Sequence, residues 1–243
     1  MILIAGIIVL ILIIFFSTLS FYSSGKPKQF LDRNNIVLKN SISEKIFLEV
    51  NGTRLGMFIK GESINNPVIL YLHGGMPDYF LTEKFPTQLE KKFVMVWLEQ
   101  RGCGISINSN SKNKKVTLDQ LVDDTIYLTQ YLLKRFNQKK IYLMGHSGGT
   151  FLGVSVIDKS PELYHAYIGV AQMSDQLKSE KIAHNYMLNK YWELDNHKMV
   201  EVLKRITIED NGQLPDEYVK IRDVAMHELG VGTMKSMKNL LTD

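Results

Sequence analysis

The residues best suited to chemistry lie in the stretch 141–150, where a short apolar run leads into Gly-His-Ser-Gly-Gly. A Gly-x-Ser-x-Gly pattern between a strand and a helix is typical of a nucleophile elbow. Small residues at Gly145 and Gly149 let the helix fold back over the strand. The turn then exposes the Ser147 hydroxyl, and the helix N-terminus beneath it favours developing negative charge. Because ordinary glycine-rich turns share this pattern, its meaning depends on what surrounds it.

Two further motifs follow predicted strands upstream of the serine. Residues 73–76 read His-Gly-Gly-Met and follow the apolar run 68–72. Residues 99–104 read Glu-Gln-Arg-Gly-Cys-Gly and follow the apolar run 93–98. Continuous apolar runs of this length are typical of parallel strands buried on both faces. Ligands bind at the carboxyl edge of such sheets, so we expect both motifs to meet Ser147 there.

The elements around these motifs alternate between strands and helices. Residues 46–60 alternate in polarity around Asn51-Gly52, which predicts a β-hairpin. Helices are predicted at 82–92 and after a capping box that starts at Thr117. A short strand is predicted at 167–171, and the chain beyond it contains amphipathic helical stretches only. The prediction is an α/β fold, with a hairpin and then parallel strands flanked by helices.

The combination of these motifs resembles the α/β-hydrolases of the proline-iminopeptidase-like group. In that group the first motif is typically His-Gly-Gly-Pro-Gly and the second Asp-Gln-Arg-Gly-x-Gly-x-Ser. The similarity covers about residues 46–171, and the helical remainder resembles the cap of the family. The resemblance implies a serine hydrolase that cleaves an ester or amide bond, N-terminal-proline peptides among them, through an acyl-enzyme.

The resemblance also implies roles for individual residues. Ser147 would be the nucleophile, and the backbone N–H groups of Gly148 and Gly75 would form the oxyanion hole. Six residues would support the motifs: His73, Gly74, Gln100, Arg101, Gly145 and Gly149.

Three departures from the family pattern bear on the substrate. Met76-Pro77 replaces Pro-Gly, Glu99 replaces Asp, and Gly148 stands where peptidase members often carry Trp. These departures favour a general ester or amide hydrolase over an aminopeptidase.

A general base for the serine is not evident in the sequence. In this fold the acid and then the histidine follow the nucleophile. We interpret the histidines at 165, 184, 197 and 227 as surface or packing residues, and we consider Asp175 as an alternative acid. The final strands, with the acid and the histidine, are therefore expected to be missing. The chain would be a fragment or a degenerate reading frame. The alternative to an enzyme is a catalytically incomplete, membrane-tethered binding module.

The N-terminus predicts an uncleaved membrane anchor. Residues 1–22 are almost entirely apolar, close to the roughly 20 residues that a spanning helix needs. The basic residues at 26, 28 and 33 would keep the remainder on the cytoplasmic side. A signal peptide cleaved near Ser23 is the alternative. The predicted organisation is an anchor (1–22), a linker (23–45), a hydrolase core (46–174) and an incomplete helical cap (175–243).

Composition excludes several other classes of function. The chain has 243 residues, a net charge of +4 with scattered basic residues, and one cysteine, Cys103. We therefore expect no nucleic-acid partner, no internal disulfide, no metal site and no cofactor. The predicted partners are a small-molecule or peptide substrate and, through the N-terminal helix, a membrane.

Overall fold

The computed structural model describes residue 6 and residues 9–17, 25–82, 85–107, 115–209 and 213–231. The chain divides into two compact units, residues 1–173 and 174–243. The first unit contains a six-stranded sheet in the order β1-β2-β4-β3-β5-β6. Its strands are β1 (Ile42–Val50), β2 (Thr53–Gly61), β3 (Val68–Leu72), β4 (Val94–Glu99), β5 (Ile141–His146) and β6 (Tyr164–Val170).

The sheet has the predicted hairpin followed by parallel strands. Strands β1 and β2 pair antiparallel across Asn51 and Gly52, whose φ angles of 46° and 73° suit a tight hairpin turn. Strand β4 pairs antiparallel with β2 and parallel with β3, and β3, β5 and β6 run parallel. The α/β prediction is confirmed, although β1 begins at Ile42, before the predicted start at Ile46.

The helices of the first unit agree only partly with the sequence prediction. In the described residues after the N-terminal helical run 9–17, they are α1 (Tyr79–Thr82), α2 (Leu118–Arg135) and α3 (Gly148–Lys159). Helix α2 begins with the predicted capping box between Thr117 and Gln120. The predicted helix at 82–92 is wrong, because its described residues contain only the end of α1 and the 3-10 turn Leu89–Lys91. Pro86 explains the break, since it lacks an N–H group and restrains the residue before it.

Alternate residues of the central strands enter two separate clusters, one on each face of the sheet. Leu70 and Val96 pack with Leu128 of α2 and Val156 of α3 on one face. On the other face the rings of Phe58 and Tyr79 stack with their centroids 3.9 Å apart, beside Trp97. This two-sided burial explains why β3 and β4 are continuous apolar runs.

The second unit is helical in its described residues. It consists of α4 (Gln176–Glu193), α5 (His197–Lys204) and α6 (Asp216–Glu228). Its core includes Met187, Tyr191, Leu203 and Tyr218. The buried carboxylate of Glu180 accepts hydrogen bonds from Tyr218 and Arg222 and so joins α4 to α6.

The predicted membrane anchor is wrong, and so is the membrane localisation derived from it. Among the described residues, no helix combines the length and the apolar character needed to cross a lipid bilayer. Residues 9–17 of the predicted span are helical. The other residues of the predicted span, except Gly6, lie outside the described residues.

A buried ion pair fastens the loop after β4 to α2 and to the hairpin turn. The Nε and Nη2 groups of Arg101 each donate to the Asp124 carboxylate at 2.8 Å. The Asn51 side chain donates to the same carboxylate at 2.9 Å. The side chains of Arg101 and Asp124 are only 13% and 3% exposed, so this bidentate pair is shielded from water.

We expect Arg101→Met to lower the free energy of unfolding by about 3 kcal/mol, because it leaves the buried Asp124 carboxylate without its cation. The measurement is urea denaturation of the whole chain. Lys159→Met is the matched control, since it removes the exposed ion pair of Lys159 with the neighbouring Asp123 and should leave the urea midpoint unchanged. Equal shifts in the two variants would contradict a structural role for the Arg101 pair.

Candidate active site

Ser147 lies at a sharp turn between β5 and α3. Its φ and ψ angles are 50° and −122°, a region that non-glycine residues rarely adopt. Hydrogen bonds on both sides hold this conformation. The Ser147 N–H donates to the Val170 carbonyl at 2.9 Å, and the Ser147 carbonyl accepts from the Thr150 N–H at 2.9 Å and from its hydroxyl at 2.5 Å. The turn leaves Ser147 partly exposed at the carboxyl edge of the sheet.

Two glycines permit this turn. A Cβ atom at Gly149 would lie 2.5 Å from the His73 carbonyl oxygen and closer still to that of Leu72. A Cβ atom at Gly145 would lie 2.6 Å from the Gly149 carbonyl oxygen. The start of α3 therefore packs directly against the end of β3, as expected for an elbow that leads a strand into a helix.

The first motif loop is held by His73. The buried ring donates from Nδ1 to the Gly74 carbonyl at 2.9 Å and accepts at Nε2 from the Gln100 N–H at 3.1 Å. Gln100 in turn donates its side-chain amide to the His73 carbonyl at 2.8 Å. These bonds require a neutral ring with its proton on Nδ1. Burial favours the same form, because it lowers the pKa of His73 below 6.5.

The second motif loop is organised by Glu99. Its carboxylate accepts a hydrogen bond from the Ile105 N–H, and its backbone carbonyl accepts one from the Ser106 hydroxyl. Ser106 also accepts from the Gly56 N–H at 2.8 Å, which links the loop to β2. These hydrogen bonds, together with the ion pair between Arg101 and Asp124, give the polar side chains of this loop partners inside the protein.

A cavity of about 370 Å³ lies beside the serine. Gly74 lines this cavity and lies so close to the serine that a Cβ atom on Gly74 would be 2.9 Å from the Ser147 Cβ. Gly75 and Gly148 are exposed, and in the described part of the chain neither N–H donates to another group. The lining residues are Gly74, Gly75, Met76, Asp78, Phe80, Leu81, His146 and Ser147.

Sequence reasoning missed one polar cluster in this cavity. The Asp78 carboxylate accepts a hydrogen bond from the Tyr71 hydroxyl at 2.5 Å, and the His146 Nδ1 atom lies 3.7 Å from the same carboxylate oxygen. Burial and the neighbouring carboxylate raise the pKa of Tyr71, so the phenol stays protonated as a donor. The position of Asp78 directly after a strand-end motif was the signal that could have identified it.

The structure does not bring His165 to the serine. This residue lies near the start of β6 with its ring tilted against that of Tyr142, whereas Val170 at the end of β6 contacts Ser147. In the second unit His184 bonds the Leu203 carbonyl at 2.9 Å. Asp175, the alternative acid, caps α4 by accepting from the Lys178 N–H at 3.0 Å.

A family model and a related sequence both relate this chain to aminopeptidases. Residues 64–217 match the family model described as serine aminopeptidase, S33. The probable aminopeptidase YbaC of Bacillus subtilis (strain 168) is 31% identical over 171 residues. That alignment covers 70% of this chain and 52% of the relative, so the chain spans about half the length of the curated relative that it matches.

Solved structures that are similar to parts of this chain include two proteins. An epoxide hydrolase from Vigna radiata is 27% identical with a TM-score of 0.43, covering 52% of this chain and 37% of its own. A proline iminopeptidase-related protein from Thermus thermophilus is 20% identical with a TM-score of 0.49, covering 78% of this chain and 67% of its own.

We expect Gly149→Ala to lower the free energy of unfolding by about 3 kcal/mol, because the added methyl group overlaps two backbone carbonyl groups that cannot rotate away. Gly148→Ala is the matched control, since the nearest atom to its Cβ would be 3.8 Å away. Urea denaturation of both variants measures the difference. Similar free energies for the two would show that α3 does not pack this closely on β3.

Acidification should destabilise the protein partly through His73. The folded-state pKa of His73 lies below 6.5, so the unfolded chain takes up the proton first as the pH falls. This contribution is present above about pH 6.5 and is lost below it. We expect the wild-type protein to lose more unfolding free energy between pH 7.5 and pH 5.5 than His73→Gln does. Equal losses would contradict the assignment, because the other histidines are common to both proteins.

Proposed function

We propose that this chain, which belongs to the serine aminopeptidase S33 family, supplies the nucleophile and the oxyanion hole of a serine hydrolase that cleaves ester or amide bonds. The observation that carries the proposal is the elbow itself. A partly exposed serine lies in a strained turn, next to a cavity large enough for a small ligand, at the carboxyl ends of the parallel strands.

Two backbone groups support the oxyanion assignment. The Gly148 N–H opens α3 and, as the first group of a helix, has no partner within that helix. The Gly75 N–H also lacks an acceptor among the described residues, and Gly75 lines the same cavity as Ser147. Each donor of this kind typically lowers the barrier by about 2.7–4 kcal/mol.

The proposed reaction follows from these groups. The Ser147 Oγ attacks the substrate carbonyl carbon, and the carbonyl oxygen becomes an oxyanion that accepts from the Gly75 and Gly148 N–H groups. Collapse of this intermediate breaks the bond to the alcohol or amine, which leaves with the proton that the Ser147 hydroxyl gave up, and an acyl group remains on Ser147. Water then attacks the acyl carbon, the bond to Ser147 Oγ breaks, and the acid is released while a proton from the water restores the serine hydroxyl.

The residue that takes the proton from Ser147 is not assigned. No described side chain accepts a hydrogen bond from its Oγ, and His73 uses both ring nitrogens within its own loops. We therefore propose roles for the nucleophile and the oxyanion hole among these residues.

A fluorophosphonate probe followed by peptide mass spectrometry tests the nucleophile. We expect the probe to modify Ser147, and Ser147→Ala to abolish the modification. In that variant the kcat for hydrolysis of p-nitrophenyl acetate should fall on the order of 10⁶-fold or to background. Ser155→Ala is the control, because Ser155 lies further along α3 with its hydroxyl donating to the Phe151 carbonyl, and it should keep full labelling.

The test also separates catalysis from ligand binding alone. An unlabelled Ser147 in a protein that still binds small amides in the cavity would overturn the hydrolase proposal and favour a binding module. Labelling at a residue other than Ser147 would overturn the assignment of the nucleophile.

A further inference from the structure

The hairpin turn between β1 and β2 contains two groups that can react with each other. In Asn51-Gly52 the backbone nitrogen of the glycine and the side-chain amide carbon of the asparagine are spaced to close a five-membered ring. Gly52 has no side chain that would hinder the approach of its nitrogen. Both residues are exposed, so water reaches the turn. The turn therefore holds a nucleophile and an electrophile next to each other in the chain.

The paired strands hold this turn in a conformation that keeps the two groups apart. Val50 pairs with Thr53, so the loop contains only two residues. Their φ angles of 46° and 73° are typical of a type I′ turn. The ring can close only if rotation about the Cα–C bond of Asn51 turns the Gly52 nitrogen towards the side chain. Strand pairing opposes this rotation, because it would separate Val50 from Thr53.

Hydrogen bonds from a buried ion pair hold each reacting group in addition. The Asn51 Nδ2 atom donates to Asp124 Oδ1 at 2.9 Å, which fixes the side-chain amide. The Arg101 Nη2 atom donates to the Asn51 backbone carbonyl at 3.4 Å. This carbonyl lies in the same rigid peptide plane as the Gly52 nitrogen. Because Arg101 also binds Asp124, this one side chain restrains both the nucleophile and the electrophile.

We propose that Asn51 is a site of spontaneous deamidation, which the Arg101–Asp124 ion pair suppresses in the folded protein. When the turn opens, the Gly52 nitrogen loses its proton to solvent and attacks the Asn51 Cγ atom. The Cγ–Nδ2 bond breaks, and ammonia leaves with a proton from solvent. Water then opens the succinimide ring at either carbonyl carbon, so that residue 51 becomes aspartate or isoaspartate. The net reaction consumes a water molecule and releases ammonia.

The product cannot restore the contacts of the original turn. Asn51 donates to Asp124, whereas aspartate or isoaspartate at this position is a carboxylate that faces another carboxylate. Like charges at this separation repel each other. Isoaspartate also adds a carbon atom to the backbone of a loop that has room for two residues. A chain whose turn has once opened is therefore permanently marked and destabilised.

Peptide mass spectrometry of the whole chain tests the proposal by following deamidation over time in native buffer and in concentrated urea. At Asn51 we expect a rate at least about 10-fold lower in native buffer, because the reaction needs the turn to open. The second Asn-Gly pair, residues 211–212, lies outside the described residues and is the internal reference in urea. Equal rates at Asn51 in buffer and in urea would overturn the proposal. So would an unreactive Asn51 in urea that deamidates residue 211.

Variants test whether the ion pair controls the reaction. Arg101→Met should raise the rate at Asn51 in native buffer by about 10-fold or more, because it frees the peptide and the side chain of the turn. Gly149→Ala is the matched control, since we expect a similar loss of unfolding free energy but its contacts are with Leu72 and His73. It should accelerate the reaction less. Equal acceleration by the two variants would overturn the role of Arg101.

A milder substitution covers the case in which Arg101→Met does not fold. Arg101→Lys keeps the positive charge but cannot make the two parallel hydrogen bonds to Asp124. It should also raise the rate at Asn51 in native buffer above that of Gly149→Ala. An unchanged rate in Arg101→Lys would count against the ion pair as the restraint, and the comparison of native buffer with urea in the parent chain still decides whether the fold suppresses deamidation.

Discussion

The close contact between the start of α3 and the end of β3 is the constraint on which the candidate site depends. Gly149 lies against the carbonyl groups of Leu72 and His73, and Gly145 lies beneath Gly149. The helix can approach this closely only if Ser147 takes a positive φ, a conformation that costs on the order of 1–3 kcal/mol. Hydrogen bonds from Ser147 to Val170 and from Thr150 to Ser147 maintain it. The exposure of the hydroxyl is thus a consequence of backbone packing.

The same contact connects three strand-end loops. Gly74 packs on the Ser147 Cβ, His73 and Gln100 exchange hydrogen bonds, and Glu99 anchors the loop that follows Gln100. A change in any of these loops is therefore transmitted to the serine through short, buried contacts. Such support from surrounding residues would hold the proposed nucleophile and oxyanion donors in a fixed geometry.

The sequence was informative wherever the backbone itself restricts the choice of residue. Asn51-Gly52 predicted the hairpin because the turn needs positive φ angles, and the apolar runs predicted β3 and β4 because both faces are buried. The helix predicted at 82–92 was wrong, because the polarity of these residues suits a helix but Pro86 interrupts one.

The contact of Asp78 with Tyr71 could not be predicted in the same way. It depends on how the loop after β3 returns over its own strand, and the stacking of Tyr79 on Phe58 of β2 fixes that path. Side-chain contacts of this kind leave no periodic pattern in the chain. In contrast, a position that has no room for a Cβ atom is visible in the sequence as a glycine, as at Gly145 and Gly149.

The departures from the family motifs differ in their consequences. Glu99 replaces an aspartate, but its carboxylate is taken up by the Ile105 N–H and lies against Gly104, which has a φ of 45° and no room for a Cβ atom. That loop therefore absorbs the longer side chain within the fold. Met76, in contrast, is 62% exposed and lines the cavity together with Asp78. Of these two departures, the one at Met76 therefore changes the wall of the cavity beside Ser147, whereas the one at Glu99 is accommodated within its own loop.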